Sequence, residues 1–204
     1  MIELGPPGAR YRIHNPGGGG KVAKTLRTGV PWEALVLDDM RSLGLRGLAV
    51  DAGANIGNHA LWLAVVCGLR VAAFEPVHVE ALTANVALNG LEDRIAVHPV
   101  ALGSYDDFAS HAGKGKLAVD GGGPIRVRTL DSFRLDPALL KIDTEGMETD
   151  VIRGGLGTIE RCRPVIYAEA WDDTYSAATG KLLEPLGYRM ARGFRWHQQR
   201  WDPR

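Results

Sequence analysis

Val50-Asp51-Ala52-Gly53-Ala54-Asn55-Ile56-Gly57 follows the short apolar run Leu48-Ala49-Val50 and opens a helical pattern through Ile56, Ala60, Leu63, Ala64 and Cys67. Beyond it, Val71 to Phe74 forms another apolar run, closed by Glu75, 18 positions after Gly57. Strand, glycine-rich turn, helix, strand and terminal carboxylate make up a nucleoside-binding α/β half. The turn reads Asp-x-Gly-x-Asn-x-Gly, not the Gly-x-Gly-x-x-Gly of dinucleotide sites. A pyrophosphate needs bare backbone amides at a helix start. Asp51 instead places a carboxylate there, which suits the ammonium of an amino acid.

The rest of the chain extends the alternation. Strands are expected at Leu48–Asp51, Val71–Glu75, Ile95–Leu102, Leu139–Asp143 and Val165–Glu169, with helices at Asn58–Cys67, Val79–Leu88 and Met147–Arg153. Gly68, Asn89-Gly90 and Gly154-Gly155 stand where those helices should stop. An earlier helix begins at Pro31, with Trp32, Leu35, Val36 and Met40 as its apolar face and Gly44 as its end. Tyr188–Ala191 and Phe194–Trp201, split by Gly193, read as a closing antiparallel pair. Residues 104–124 read as an irregular excursion or a β-hairpin, Val127–Leu130 as a short strand, and Asp131 as the cap of a helical turn. Apolar strands alternating with helices imply a largely parallel sheet covered on both faces. Residues 1–47, an extended arm and the first helix, are expected to belong to the same domain as residues 48–204.

Lys+Arg and Asp+Glu both number 24 in 204 residues, so long-range attraction to nucleic acid or an anionic membrane is not expected. Two cysteines, Cys67 and Cys162, make neither a disulfide framework nor a zinc site by spacing and read as small hydrophobes. No signal-peptide core opens the chain and no apolar stretch is long enough to span a bilayer, so the expectation is cytoplasmic. Gly17-Gly18-Gly19-Gly20-Lys21 fails the phosphate-loop template, with Asn15 and Val22 at the wrong places, and reads as a turn.

Asp51, Glu75, Asp143 and Glu169 each stand at the carboxyl end of an expected strand, the edge at which doubly wound sheets bind ligands. Glu75 has two acceptor oxygens for the two ribose hydroxyls, and Pro76 fixes the turn after it. Gly53 and Gly57 let the backbone approach a ligand, Asn55 tolerates a left-handed conformation, and Ala101 and Leu102 are small enough to sandwich an adenine. An acidic pocket suits a sulfonium and releases the neutral product. The cofactor is therefore read as S-adenosylmethionine.

With the second half included, the chain resembles the FkbM family of S-adenosylmethionine-dependent methyltransferases. The matching stretches are VDAGANIGNHALWLA (50–64), VAAFEP (71–76), ANVALNG (84–90), VRTLDSF (127–133), LLKIDTEGMETDVIRGG (139–155) and RPVIYAE (163–169). The block K-I-D-x-E-G singles out the family, and Trp32-Glu33 resembles its aromatic–Glu pair ahead of the first strand. The resemblance implies a single Rossmann-like class I domain, with a mostly parallel seven-stranded sheet and the last strand antiparallel. It implies methyl transfer to hydroxyls of sugars or natural products, and cofactor contacts from Glu33 and Asn58 as well.

Asp143 and Glu145 flank Thr144 after the fourth strand. Asp143 is expected to hold the cofactor or the acceptor hydroxyl, and Glu145 to take its proton, or else to favour the positive start of the following helix. Lys141 lies on the same face as a solvated stem or a partner for a carboxylate. His59, in the first turn after the glycine loop, is a base, an acceptor contact or a surface histidine. The partner expected is a small-molecule acceptor, with homodimerisation possible and neither nucleic acid nor membrane involved. Two other readings stand beside this one. Asp143, Glu145 and Glu169 offer hard oxygens for a metal-assisted O-methyltransferase. Arg189, Arg192, Arg195, Trp196, His197, Arg200 and Trp201 interleave cations with aromatics, as a nucleic-acid platform or as a guarded edge hairpin would.

Overall fold

The computed structural model of the chain describes residues 1–14, 20–113 and 116–204. Thirteen strands and seven α-helices are present among the described residues. The chain opens with β1 (Ile2–Leu4) and β2 (Tyr11–Ile13), then α1 (Lys21–Arg27) and α2 (Ala34–Ser42). The first half of the sheet follows as β3 (Leu48–Ala52), α3 (Asn58–Val65), β4 (Arg70–Phe74), α4 (Val79–Leu88) and β5 (Ile95–His98). A small second sheet is built from β6 (Ala101–Leu102), β7 (Asp107–Gly113), β8 (Lys116–Val119) and β9 (Ile125–Arg128). The chain closes with β10 (Pro137–Ile142), α5 (Glu148–Arg153), α6 (Leu156–Cys162), β11 (Val165–Glu169), α7 (Asp173–Leu183), β12 (Tyr188–Gly193) and β13 (Gln198–Pro203).

The main sheet has seven strands in the order β12-β13-β11-β10-β3-β4-β5. Neighbours from β11 to β5 are parallel, and β13 runs antiparallel to both β11 and β12. Residues of each strand alternate between two cores. Ala49, Val71, Leu139 and Tyr167 face one side, where the arm, α2 and α3 pack; Val50, Ala72, Leu140 and Ile166 face the other, against Val151, Ile159 and Leu183 of α5, α6 and α7. Helices thus cover both faces, as parallel strands demand.

Several boundaries differ from the sequence expectation for identifiable reasons. The run expected as one strand, Ile95–Leu102, breaks at Pro99, which has no N–H for the ladder. Its first part stays in the main sheet, and Ala101–Leu102 pairs with β9 in the small one. Helix α1 was not expected, and the helix expected from Pro31 is α2, which begins at Ala34 because Glu33 takes a left-handed φ of 57°. Its buried face is Val36, Leu37 and Met40, while Leu35, expected inside, is 64% exposed. The arm is more ordered than expected: Leu4, Tyr11 and Ile13 of its hairpin are buried. The glycine run falls largely on residues 15–19, outside the described residues.

The excursion at 104–124 is a hairpin of β7 and β8. Asp131 caps, but at a distance: its carboxylate accepts from the N–H groups of Gly157 and Thr158 at the start of α6. Cys67 and Cys162 are unpaired and half-buried, with both thiols pushed up chiefly by burial, Cys67 to about 11. No described helix is long and apolar enough to cross a membrane.

Candidate active site

A cavity of about 1010 Å³ opens beyond the carboxyl ends of β3, β4, β10 and β11. That is the upper end of the roughly 300–1,000 Å³ usual for a ligand pocket. Of the residues expected at the site, Glu33, Gly53, Asn55, Asn58 and His59 line it near the glycine loop. Glu75, Pro76, Ala101 and Leu102 line a second region, and Asp143 and Glu145 a third. Asp51 and Gly57 do not line it.

Asp51 lies beneath the floor, wholly buried, with Lys141 Nζ 2.9 Å from its Oδ1. The two residues are register partners on β3 and β10. Lys141 also donates to the Gly53 carbonyl at 2.9 Å and stands 3.7 Å from Asp143. Burial pulls the ammonium down, but the Asp51 and Asp143 carboxylates outweigh it and hold Lys141 above the ordinary lysine value. Lys141 is therefore a structural cation locking the glycine loop to β10. The carboxylate expected to meet the ligand's ammonium is thus ion-paired with Lys141, while neither of its oxygens has a hydrogen-bond donor among the described residues.

Gly53 has a φ of 79°, and a Cβ there would stand 1.8 Å from the Asp143 carbonyl oxygen. The close approach it permits is thus to β10, not only to a ligand. Gly57 turns into α3 with its open side filled by Leu82 of α4. Asn55 adopts the left-handed conformation expected of it, with φ 50°.

The amides of this loop decide what the turn can hold. Gly53 and Ala54 donate to the Phe74 carbonyl, Gly57 to Ala54, and Asn55 to Glu75 Oε2 at 2.8 Å. These N–H groups are spent within the protein, so the cradle that a pyrophosphate needs is closed. Glu75 also accepts on Oε1 from Val77 at 2.7 Å and His78 at 2.9 Å, at the start of α4. It is both an anchor of the loop and a wall of the cavity, and of its four lone-pair positions the one left open is on Oε2. Phe74, Pro76, Ala101 and Leu102 provide apolar surface beside it. A fixed acceptor next to an apolar slot suits an adenosine.

At the opposite end the wall is acidic. Asp143, Glu145 and Glu169 all line the cavity. Burial, then the charges of Asp143 and Glu148, raises Glu145. Burial, then Asp143, pushes Glu169 up to about 8, against an indole hydrogen bond from Trp171 at 2.5 Å. Glu145 has a left-handed φ of 57°, and the turn bearing it is organised by Glu148, a residue the sequence reading did not single out. Its buried Oε1 accepts from the Thr144 and Gly146 amides and the Thr144 hydroxyl. Its identity as an acidic residue in the first turn of α5 was the available signal.

His59 is buried rather than superficial, and its Nε2 lies 3.2 Å from Glu33 Oε2. Asn58 joins this corner by bonding to the backbone of Trp32 in both directions. The arm contributes more than expected: His14, Lys21, Val22 and Ala23 also line the cavity.

Two competing readings lose support. No three His, Cys, Asp or Glu side chains among the described residues converge as metal ligands, so Asp143, Glu145 and Glu169 do not form the oxygen set expected of a metal site. In the basic aromatic C-terminus, Arg192 and Arg200 bind Asp39 of α2 at 2.6 and 2.9 Å, and Tyr167 donates to the same carboxylate. Trp201 is buried in the core. Arg192, Arg200 and Trp201 are thereby tied into the fold, while Arg189, Arg195 and His197 stay exposed.

Sheet order, glycine loop and cavity together define a Rossmann-like fold of the class I methyltransferase type. Comparison with known proteins agrees. The model of the methyltransferase FkbM domain matches residues 51–190. The chain belongs to the FkbM methyltransferase family, for which S-adenosylmethionine is the implied cofactor. A methyltransferase FkbM from Methylobacillus flagellatus KT is 24% identical with a TM-score of 0.58, over 76% of this chain and 42% of that one. This chain thus spans less than half of that protein. A precorrin-6y C5,15-methyltransferase from Geobacter metallireducens GS-15 is 17% identical, with a TM-score of 0.52 over 91% of this chain and 90% of that one. A putative tRNA (m1A22) methyltransferase from Streptococcus pneumoniae is 15% identical, with a TM-score of 0.52 over 82% and 67%. At these identities the likeness shows the fold. No curated protein matches the sequence.

Proposed function

We propose that the chain methylates a hydroxyl of a small molecule, a sugar or natural product, using S-adenosylmethionine. The observation that carries this reading is the polarity of the large cavity. A fixed acceptor suited to a ribose hydroxyl and an apolar slot are formed by Glu75 and its neighbours, and an acidic wall by Asp143, Glu145 and Glu169. Glu75 is suited to the ribose, Phe74, Pro76, Ala101 and Leu102 to the adenine, and the corner of Asn55, Asn58, Glu33 and His59 to the amino-acid end. Bound there, S-adenosylmethionine supplies an electrophilic methyl group. Asp143 borders this position and is suited to orient the sulfonium or the acceptor hydroxyl.

An alcohol is a poor nucleophile at neutral pH, so a base near the acceptor accelerates transfer. Glu145 is the residue assigned this role. Its raised affinity for protons strengthens it as a base, and the Glu148 clamp fixes the backbone that carries it. The remaining rate comes from holding acceptor and methyl group in line within the cavity.

The test is transfer of labelled methyl from S-adenosylmethionine to a panel of sugars and hydroxylated natural products. Glu145→Gln should lower turnover by about 10²-fold or more while S-adenosylhomocysteine affinity stays unchanged. Equal turnover in wild type and variant removes Glu145 as the base.

A further inference from the structure

An amino-acid zwitterion carries two opposite charges on one carbon, and the glycine loop answers neither of them. Asp51, expected to meet the ammonium, is paired with Lys141 beneath the floor. The amides of Gly53, Ala54, Asn55 and Gly57 are spent within the protein, so those four are not available to the carboxylate. Both charges therefore look to side chains from other elements.

Among the described residues, the cavity is lined by two lysines and no arginine. Lys141 is 1% exposed and committed to Asp51 and the Gly53 carbonyl. Lys21 is exposed, at the start of α1, and its ammonium stands over the Trp32 ring, 5.8 Å from the centroid. An aromatic face attracts a cation over roughly that distance.

Trp32 fixes where this ammonium lies. Its N–H donates to Asn58 Oδ1 at 3.2 Å, and its carbonyl accepts from Asn58 Nδ2 at 3.1 Å. Asn58 opens α3 directly after Gly57, the last glycine of the loop. The residue following Trp32 is Glu33, buried, with its left-handed φ of 57° and its Oε2 3.2 Å from His59 Nε2. Consecutive residues thus bring opposite charges to one wall, a cation over Trp32 and the anion of Glu33. Lys21, Trp32 and Glu33 all precede the span 51–190 that the family model matches, so the arm builds this wall.

We propose that Lys21 is the carboxylate receptor of the cofactor site, pairing with the α-carboxylate of S-adenosylmethionine while Glu33 meets the α-ammonium. A lysine ammonium is a compact charge on a flexible four-carbon stem, able to move from the indole face to an entering carboxylate. The arm then selects a ligand with an intact amino acid over one that has lost its carboxylate. This inference rests on the reading of the large cavity as the S-adenosylmethionine site and adds a specificity residue to it.

The test is competitive calorimetry on the whole chain, as wild type, Lys21→Met and Lys21→Arg. The ligands are S-adenosylhomocysteine and its decarboxylated analogue, which keeps the ammonium. Lys21→Met should weaken S-adenosylhomocysteine by about tenfold, the scale of a hydrogen bond between charged groups, and leave the analogue unchanged. The wild type should prefer S-adenosylhomocysteine to the analogue by a similar factor, and Lys21→Arg should retain that preference because it retains the charge. Equal weakening of both ligands in Lys21→Met would make the residue a support of the arm and overturn the inference. Unchanged affinity for S-adenosylhomocysteine in that variant would overturn it as well. Failure of both ligands to bind the wild type would instead bring down the cofactor reading, and this inference with it.

Discussion

Lys141 Nζ sits 2.9 Å from Asp51 Oδ1, both side chains sealed from solvent, and the same ammonium reaches the Gly53 carbonyl. One buried cation thereby joins β3, the glycine loop and β10 at the floor of the large cavity. Removing one partner of such a pair leaves an uncompensated charge inside. Lys141→Met should lower unfolding free energy by about 3–5 kcal/mol in urea denaturation. Adding Asp51→Leu should recover a large part of the loss, whereas no recovery would mean that the pair is not the source of it.

Gly53→Ala should be more severe than its single methyl group suggests. The added Cβ would meet backbone at 1.8 Å, and the φ of 79° is one that side chains rarely adopt. The loop and the end of β10 would have to separate, so both melting temperature and S-adenosylmethionine binding should fall together. Intact binding in this variant would show that the loop is free to move.

Glu169 links stability to pH. Its proton affinity in the fold corresponds to about 8, against an ordinary 4.5. A raised value means that the folded state holds a proton the unfolded chain has released. The favourable contribution is complete below about 4.5 and is lost as pH rises through about 8. Glu169→Gln should therefore show a smaller decline of melting temperature between pH 6 and pH 9 than the wild type. Parallel pH profiles for the two proteins would remove Glu169 as the titrating group.

Glu148→Ala should loosen the turn that carries Glu145, because two amides and a hydroxyl lose their shared acceptor. A stability loss of about 1.5–3 kcal/mol is expected, the range for a hydrogen-bonded charged group. Turnover should drop more than cofactor affinity does. Affinity and turnover falling in proportion would place the effect on the cofactor pocket instead.

The main architecture was legible because each level of the sequence agreed with the next. Leu48–Ala52, Arg70–Phe74, Pro137–Ile142 and Val165–Glu169 are short apolar runs that end in chemistry-bearing residues or a tight turn. Asn89-Gly90 and Gly154-Gly155 mark helix ends by backbone demands that are local. Tertiary relationships were not legible. Nothing adjacent to Asp51 in the sequence shows that Lys141 neutralises it, since the two meet only through parallel pairing of β3 and β10. The same holds for Asp39, whose arginine partners lie more than 150 positions away. Helix α7 was missed because its buried residues, Thr179, Gly180 and Leu183, carry little apolar signal, although Asp172 caps it through the Thr174 and Tyr175 amides. Pro99 was visible all along as the break between β5 and β6, but the apolar residues around it read as continuous.

The central claim is that the large cavity binds S-adenosylmethionine with Glu75 on its ribose. Calorimetric titration with S-adenosylmethionine and S-adenosylhomocysteine, with NAD as control, tests it most directly on the wild type and on Glu75→Ala verified as folded by circular dichroism. The account predicts micromolar binding of both sulfur ligands to the wild type, no binding of NAD, and loss of binding in the variant by about 2 kcal/mol or more, as for charge-assisted hydrogen bonds. Absence of binding to the wild type, or equal affinity in Glu75→Ala, would contradict it.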